Sequence, residues 1–268
     1  MLERLELPAE RRVSTAALVA GVLGVALAGW IVAIQRMDGM DMGPGTDLGS
    51  FSFFLGAWVT MMAAMMLPSA LPMVLLFDRV GSAQRASGRD AASTGVFVLS
   101  YLAVWAAFGI ASYGLYRGIQ ALDLGFIAWD REGPIVAGVA VAAAGLYELT
   151  PLKRVCLRHC RSPLHFVLGG WKPGTRGALA MGAEHGAWCA GCCWGLMVSL
   201  FALGVMSLTW MLVVAGVIFG QKVLPYGPRV QWAFSAALVG LGVWIAVDPG
   251  GVPWLVQPDM QPAMEMKT

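Results

Sequence analysis

The fold is decided by an apolar stretch whose centre reads Met181-Gly-Ala-Glu-His-Gly-Ala-Trp-Cys-Ala-Gly-Cys-Cys-Trp-Gly-Leu-Met197. The apolar run extends over 177–203 and so exceeds the roughly 20 residues with which a helix crosses a bilayer. Glu184 and His185 lie inside it, together with three thiols. Ionisable groups are costly there, at roughly 2.5 to 3.5 kcal/mol for a central charge, and they mark candidate functional sites. The stretch therefore predicts a transmembrane helix that carries a functional site.

The composition of the chain extends this prediction to the whole protein. Of its 268 residues, 58% are hydrophobic and 13% are charged, against roughly 25% charged in soluble domains. The net charge of +2 does not indicate a nucleic-acid partner, because such a partner would require basic residues clustered on one exposed face. The expected partner is a lipid bilayer. We expect an all-α, polytopic transmembrane helical bundle, a single integral membrane domain over 1–268. Its seven spans are predicted near 14–35, 51–77, 94–116, 133–150, 177–203, 207–224 and 230–247.

The positive charges predict the orientation of these spans. With seven spans and the N-terminus in the cytoplasm, fourteen of the eighteen Lys and Arg residues fall on the cytoplasmic side, Lys153 and Lys222 among them. Cytoplasmic loops are enriched in Lys and Arg. We therefore expect a cytoplasmic N-terminus and a C-terminus outside.

Methionines are frequent in the two segments predicted to lie outside, 36–50 and 248–268. The first contains Met37, Met40 and Met42, and the second contains Met260, Met264 and Met266. Thioethers are soft ligands that suit Cu(I), whereas exposed Met is easily oxidised. These segments therefore favour a role in metal collection over incidental use of Met.

The second predicted span carries a doubled pair of methionines before two prolines, Pro68 and Pro72. On a helix, residues four apart share one face, so each pair presents two sulfurs one turn apart. The pairs are Met61 with Met65 and Met62 with Met66. Packing alone would explain a single pair, but the repeated pattern beside a proline kink favours a shaped metal site.

The segment 151–176 is basic and is predicted to be cytoplasmic. Cys156 and Cys160 are four residues apart, so a helix would bring their sulfurs close enough for one metal ion or one disulfide. His159 lies between them and could add a nitrogen ligand. The alternative is an amphipathic segment that binds anionic lipid headgroups and has ordinary reduced cysteines.

The fifth span concentrates the strongest candidates on one helix face. His185, Cys189, Cys192 and Cys193 fall within roughly 100° of arc. The predicted depth of these thiols overlaps that of Met61 to Met66, so the two helices can share a site in the membrane. Glu184 points away from the thiols and could orient a ligand, accept a proton released on metal binding, or pair with a basic residue.

Three blocks in this order resemble a bacterial family of predicted metal-binding, copper-chaperone-like integral membrane proteins. The blocks are Met61-Met-Ala-Ala-Met-Met-Leu-Pro-Ser69, Thr150-Pro-Leu-Lys-Arg-Val-Cys156 through Cys160-Arg-Ser-Pro163, and Cys189-Ala-Gly-Cys-Cys-Trp-Gly-Leu-Met197. The resemblance implies a multi-pass protein of the bacterial inner membrane that handles copper.

These observations support three functional hypotheses. The first is binding of a soft metal, Cu(I), which is taken up, relayed or delivered to a copper-dependent membrane or periplasmic enzyme. The second is a thiol–disulfide oxidoreductase that uses Cys189 and Cys192 and passes electrons to a quinone. The third is a structural or assembly subunit of a membrane complex. No phosphate-binding loop or Ser–His–acid set indicates conventional catalysis.

Overall fold

The computed structural model describes residues 9–37, 48–91, 93–122, 132–204, 207–224, 228–252 and 255. Within these ranges the chain forms helices and no strands, which confirms the all-α prediction. The helices are α1 (Ala9–Met37), α2 (Phe51–Ala86), α3 (Thr94–Ala121), α4 (Gly133–Tyr147), α5 (Pro151–Arg161), α6 (Pro163–Gly169), α7 (Gly174–Leu203), α8 (Leu208–Val223) and α9 (Pro228–Val247), followed by a 3-10 turn at Pro249–Gly251.

Five helices in these ranges are long and apolar enough to cross a membrane: Thr15–Gln35, Phe51–Ala86, Thr94–Ala121, Gly174–Leu203 and Arg229–Val247. A sixth candidate is the pair α4 and α5, which is bent by 64°. α8 is a shorter apolar helix, and its 16 residues extend only about 24 Å. The structure thus supports five to six spans, whereas seven were expected.

The bend after α4 has a local cause. Thr150 accepts a hydrogen bond from the backbone N–H of Lys153 and so caps the new helix, and Pro151 occupies its first position. Because the residue before a proline disfavours the helical conformation, α4 ends at Tyr147 and the chain turns. The predicted span 133–150 is therefore one arm of a broken helix.

The side-chain contacts of α2, α3 and α7 give the relative directions of these three helices. α3 is antiparallel to α2, since the Trp58 indole donates to the carbonyl of Trp105 at 2.9 Å while Phe77 stacks on Phe97. α7 runs parallel to α3, and the missing side chain of Gly182 lets the two backbones meet, because a Cβ there would overlap the carbonyl oxygen of Phe97. Small residues permit this close approach in membrane bundles.

The second half of α7 is in contact with α4, α5 and α8. α4 packs on both α7 and α9. The Tyr147 hydroxyl donates to the carbonyl of Gly191 on α7, and the Ser235 hydroxyl of α9 donates to the carbonyl of Gly145. α8 follows α7 after a turn at Gly204 and packs on α2 and α7. The ends of α4 and α8 therefore meet near the middle of α7.

Much of the Met-rich sequence lies outside the described residues. Met40 and Met42 fall in 38–47, and the methionines of the second segment fall in 256–268. Met37 is the last residue of α1, and its side chain is also outside what the structure describes.

Candidate metal centre

Four cysteines from two helices come together in the core. Cys189, Cys192 and Cys193 of α7 are each at most 2% exposed. The Cys192 sulfur lies 3.3 Å from that of Cys193 and 3.8 Å from that of Cys160 on α5. We call these four residues the thiol cluster. It joins two sets of thiols that the sequence analysis had placed in separate sites.

The approach of α5 to α7 depends on a glycine. A Cβ on Gly191 would lie 2.8 Å from the Cys156 sulfur, so the absence of a side chain there makes room for α5. Cys156 is thus packed against the α7 backbone, while Cys160, one turn later, reaches Cys192. The fold directs the two cysteines of α5 to different neighbours.

A buried lysine contacts the thiol cluster from α8. The Lys222 ammonium lies 2.9 Å from the Cys189 sulfur and 3.1 Å from the Ser69 hydroxyl of α2, and Lys222 is 7% exposed. The Tyr101 hydroxyl lies 3.1 Å from the same sulfur. A cation in contact with a thiol favours the thiolate, so Cys189 has the best surroundings for a metal-binding sulfur.

The methionines of α2 share this core. Met61, Met62, Met65 and Met66 are each at most 2% exposed and belong to the same apolar cluster as the cysteines of α7. Ser69 links the two groups, because its hydroxyl donates to the carbonyl of Met66 at 2.8 Å and also contacts Lys222. The thioethers and the thiols are therefore held in one continuous interior.

A second buried polar group lies beside the cluster. The Lys153 ammonium donates to Glu148 and to Gln221, each at 2.8 Å, and the Gln221 amide donates to the other Glu148 oxygen at 2.8 Å. All three residues are at most 1% exposed. Every charged atom in this closed set has a partner, as a buried ion pair requires.

Lys153 and Lys222 correct the sequence analysis, which counted both as cytoplasmic loop charges. Each is buried and bonded. A lysine at the end of an apolar run is typical of a membrane interface, so no sequence signal distinguished these two. Their role depends on contacts between helices that are distant in the chain.

His185 and Glu184 point to different environments. His185 is 2% exposed, and neither of its ring nitrogens has a hydrogen-bond partner in the described part of the chain. Glu184 is exposed and pairs with Lys172, with 3.3 Å between the ammonium nitrogen and the carboxylate oxygen. The structure therefore places Glu184 at the surface, away from the thiol cluster.

His159 also lies apart from the sulfurs. Its ring stacks on Trp188 with 4.0 Å between the ring centres, and its Nδ1 lies 2.9 Å from the Val155 carbonyl oxygen. The expected inner site of Cys156, His159 and Cys160 is thus divided among three sets of neighbours. Among the described residues, Cys160 is the one of these three whose sulfur contacts a thiol of α7.

The arrangement of the potential metal ligands limits which metal ion the centre can bind. Among the residues that the structure describes, no three His, Cys, Asp or Glu side chains are arranged to hold a metal ion. Zinc sites use at least three such ligands, and structural ones use four. Cu(I) accepts fewer ligands and also binds thioethers, so a pair of thiolates with Met sulfurs suits this arrangement.

The described residues thus form an all-helical protein with five to six candidate membrane spans and with thiols and thioethers packed in one core. The chain belongs to the copper chaperone family PpoB2, which it matches over residues 55–245. This match confirms the resemblance inferred from the three sequence blocks, and it gives the protein a copper-related function. No match was found among curated proteins or among solved structures.

Proposed function

We propose that the protein binds Cu(I) as cargo in its core and passes the ion to a copper-dependent membrane or periplasmic enzyme. The thiol cluster supplies the principal ligands, with thioethers from Met61, Met62, Met65 and Met66. The observation that carries this proposal is the convergence of four thiols from α5 and α7 in the interior that also contains these methionines.

The charge of the site favours a monovalent ion. Two thiolates that hold Cu(I) carry a net charge of −1, and the Lys222 ammonium in contact with Cys189 offsets it. With a divalent ion the same groups would carry a net charge of +1 in the interior. Because an uncompensated buried charge is strongly unfavourable, the site selects a soft monovalent cation over Zn²⁺.

The location that we propose is the bacterial inner membrane, with the N-terminus in the cytoplasm and the C-terminus outside. In this arrangement α8 makes a seventh crossing. With Lys153 and Lys222 removed from the loop charges, twelve of the sixteen remaining Lys and Arg residues stay on the cytoplasmic side. The Met-rich segments 36–50 and 248–268 would then face outside and collect the ion.

An anaerobic titration tests the metal site. Purified full-length protein in detergent is titrated with Cu(I) against a competing chelator, beside the variant Cys189→Ser/Cys192→Ser/Cys193→Ser. Cys156→Ser is the matched control, because this thiol is buried against Gly191. We expect the triple variant to lose tight binding, by at least about 100-fold in affinity, and the control to keep it. Equal stoichiometry and affinity in the triple variant and the wild type would contradict the proposal.

The same samples separate copper binding from thiol redox chemistry. If the thiols bind copper as proposed, thiol trapping followed by mass spectrometry finds them reduced and protected by the ion. A disulfide between Cys189 and Cys192 that turns over with a quinone would instead support the oxidoreductase hypothesis.

A further inference from the structure

The buried face of α7 continues past the thiols toward the start of the helix. Met181 and His185 precede Cys189 at intervals of four residues, and each is at most 2% exposed. Four residues advance an α-helix by about 6 Å and keep side chains on the same face. A thioether, an imidazole and a thiol thus follow one another along a single buried line.

His185 is the unexplained member of this line. Its ring lies among those of Phe97, Tyr101 and Phe166, with centroid separations of 6.0, 5.4 and 5.7 Å. Both ring nitrogens are buried without a hydrogen-bond partner among the described residues. Leaving a buried polar group unpaired costs roughly 1 to 3 kcal/mol. A phenylalanine would fill the same space without this cost, so packing alone does not explain an imidazole at this position.

Met181 connects this line to the protein surface. Its sulfur accepts a hydrogen bond from the backbone N–H of Lys172 at 3.4 Å. Lys172 belongs to the connection between α6 and α7, and its side chain is exposed. The buried thioether of Met181 is therefore in contact with the backbone of an exposed residue. Along α7, His185 lies between Met181 and the thiol cluster.

We propose that Met181 and His185 form a transfer site through which Cu(I) moves between the α6–α7 connection and the thiol cluster. This inference rests on the proposed function, since it assumes that the cluster binds Cu(I). Neutral imidazole offers one unprotonated nitrogen as a ligand, and the thioether offers a soft sulfur. The two side chains share one face of α7, one turn apart.

The transfer is a ligand exchange without electron transfer. The bonds between Cu(I) and the two cluster thiolates break, the one to Cys189 last, while bonds to the His185 nitrogen and the Met181 sulfur form, and the copper stays Cu(I). Two thiolates with the Lys222 ammonium are left at a net charge of −1, and the ion carries +1 on its neutral ligands. The attraction between these opposite charges makes the transfer site a short-lived stop. The aromatic rings around His185 exclude water, which would otherwise compete for the ion.

The rate of copper release tests the transfer site. Full-length protein loaded with one Cu(I) is mixed with a high-affinity Cu(I) chelator, and release is followed by absorbance. His185→Phe preserves the ring packing and removes the nitrogens, and His159→Phe is the control, since His159 stacks on Trp188 outside this line. We expect His185→Phe to slow release at least about 10-fold with the equilibrium affinity unchanged within about three-fold, and the control to behave as wild type.

A second variant guards against a folding defect. Met181→Leu keeps the volume and removes the sulfur, and we expect slower release at unchanged affinity here as well. Wild-type release rates in both variants would overturn the transfer site. So would faster release with a matching loss of equilibrium affinity in His185→Phe, which would make His185 a ligand of the stored ion. These outcomes leave the thiol cluster intact, whereas tight binding by the triple cysteine variant would overturn the proposed function itself.

Discussion

At the scale of single residues, the three thiols of α7 were predictable and their partners were not. Helical periodicity placed Cys189, Cys192 and Cys193 on one face, and all three are buried there. Cys160 reaches them because a bend and a glycine contact fold α5 back onto α7. Periodicity carries no information about such a tertiary contact. Lys222 was missed for the same reason.

Cys160 and Cys156 give a prediction about single ligands. Because the Cys160 sulfur lies 3.8 Å from that of Cys192, we expect Cys160→Ser to weaken Cu(I) binding about 10-fold, or about 1.4 kcal/mol. Cys156→Ser removes a sulfur that packs on Gly191 and should leave the affinity near that of wild type. Chelator competition measures both. A larger loss in Cys156→Ser than in Cys160→Ser would contradict this assignment.

At the scale of elements, the helices were predictable and their interruptions less so. The apolar run 133–150 looked like a complete span, although Thr150 and Pro151 already carried a capping signal within the sequence. The bend they cause brings Glu148 and Lys153 into contact with Gln221 of α8. A hydropathy profile places Glu148 and Lys153 at the end of a span. In the fold, their hydrogen bonds with Gln221 link the ends of α4, α5 and α8.

The buried ion pair gives a prediction about stability. Glu148→Leu leaves Lys153 charged and unpaired in the interior, so we expect a loss of roughly 3 to 5 kcal/mol in the free energy of unfolding. Glu184→Leu is the matched control, because its pair with Lys172 is exposed and exposed pairs contribute about 0 to 1 kcal/mol. Denaturant unfolding in detergent compares the two variants. Equal losses would show that the Glu148 pair does not stabilise this junction.

The double variant Glu148→Leu/Lys153→Met sharpens that comparison. It removes both charges, so the loss should be smaller than in Glu148→Leu alone. An equal or larger loss would mean that packing, rather than an unpaired charge, explains the effect.

At the scale of the whole molecule, composition and the apolar runs were sufficient to predict an all-α fold. The family match confirms the resemblance to copper-chaperone-like proteins. The number of crossings was not predictable from apolar runs. It depends on the 64° bend between α4 and α5 and on whether the 16 residues of α8 cross. The bend follows from the Thr150 cap and Pro151, and the position of α8 follows from its packing on α2 and α7.

The proposed topology gives a prediction about the location of the two termini. With seven crossings and a cytoplasmic N-terminus, a reporter fused after Thr268 lies outside. We expect a periplasm-active reporter to be active there, and a reporter fused before Met1 to be active only in its cytoplasmic form. A cytoplasmic C-terminus would instead mean that either α8 or the bent α4–α5 pair does not cross.

The central claim is that buried sulfurs of this chain bind Cu(I). Copper K-edge X-ray absorption on protein loaded with one Cu(I) tests it most directly. The account predicts a Cu(I) edge with a coordination shell of sulfur, which is lost in Cys189→Ser/Cys192→Ser/Cys193→Ser and kept in Cys156→Ser. A shell of nitrogen and oxygen in the wild type, or an unchanged sulfur shell in the triple variant, would contradict it.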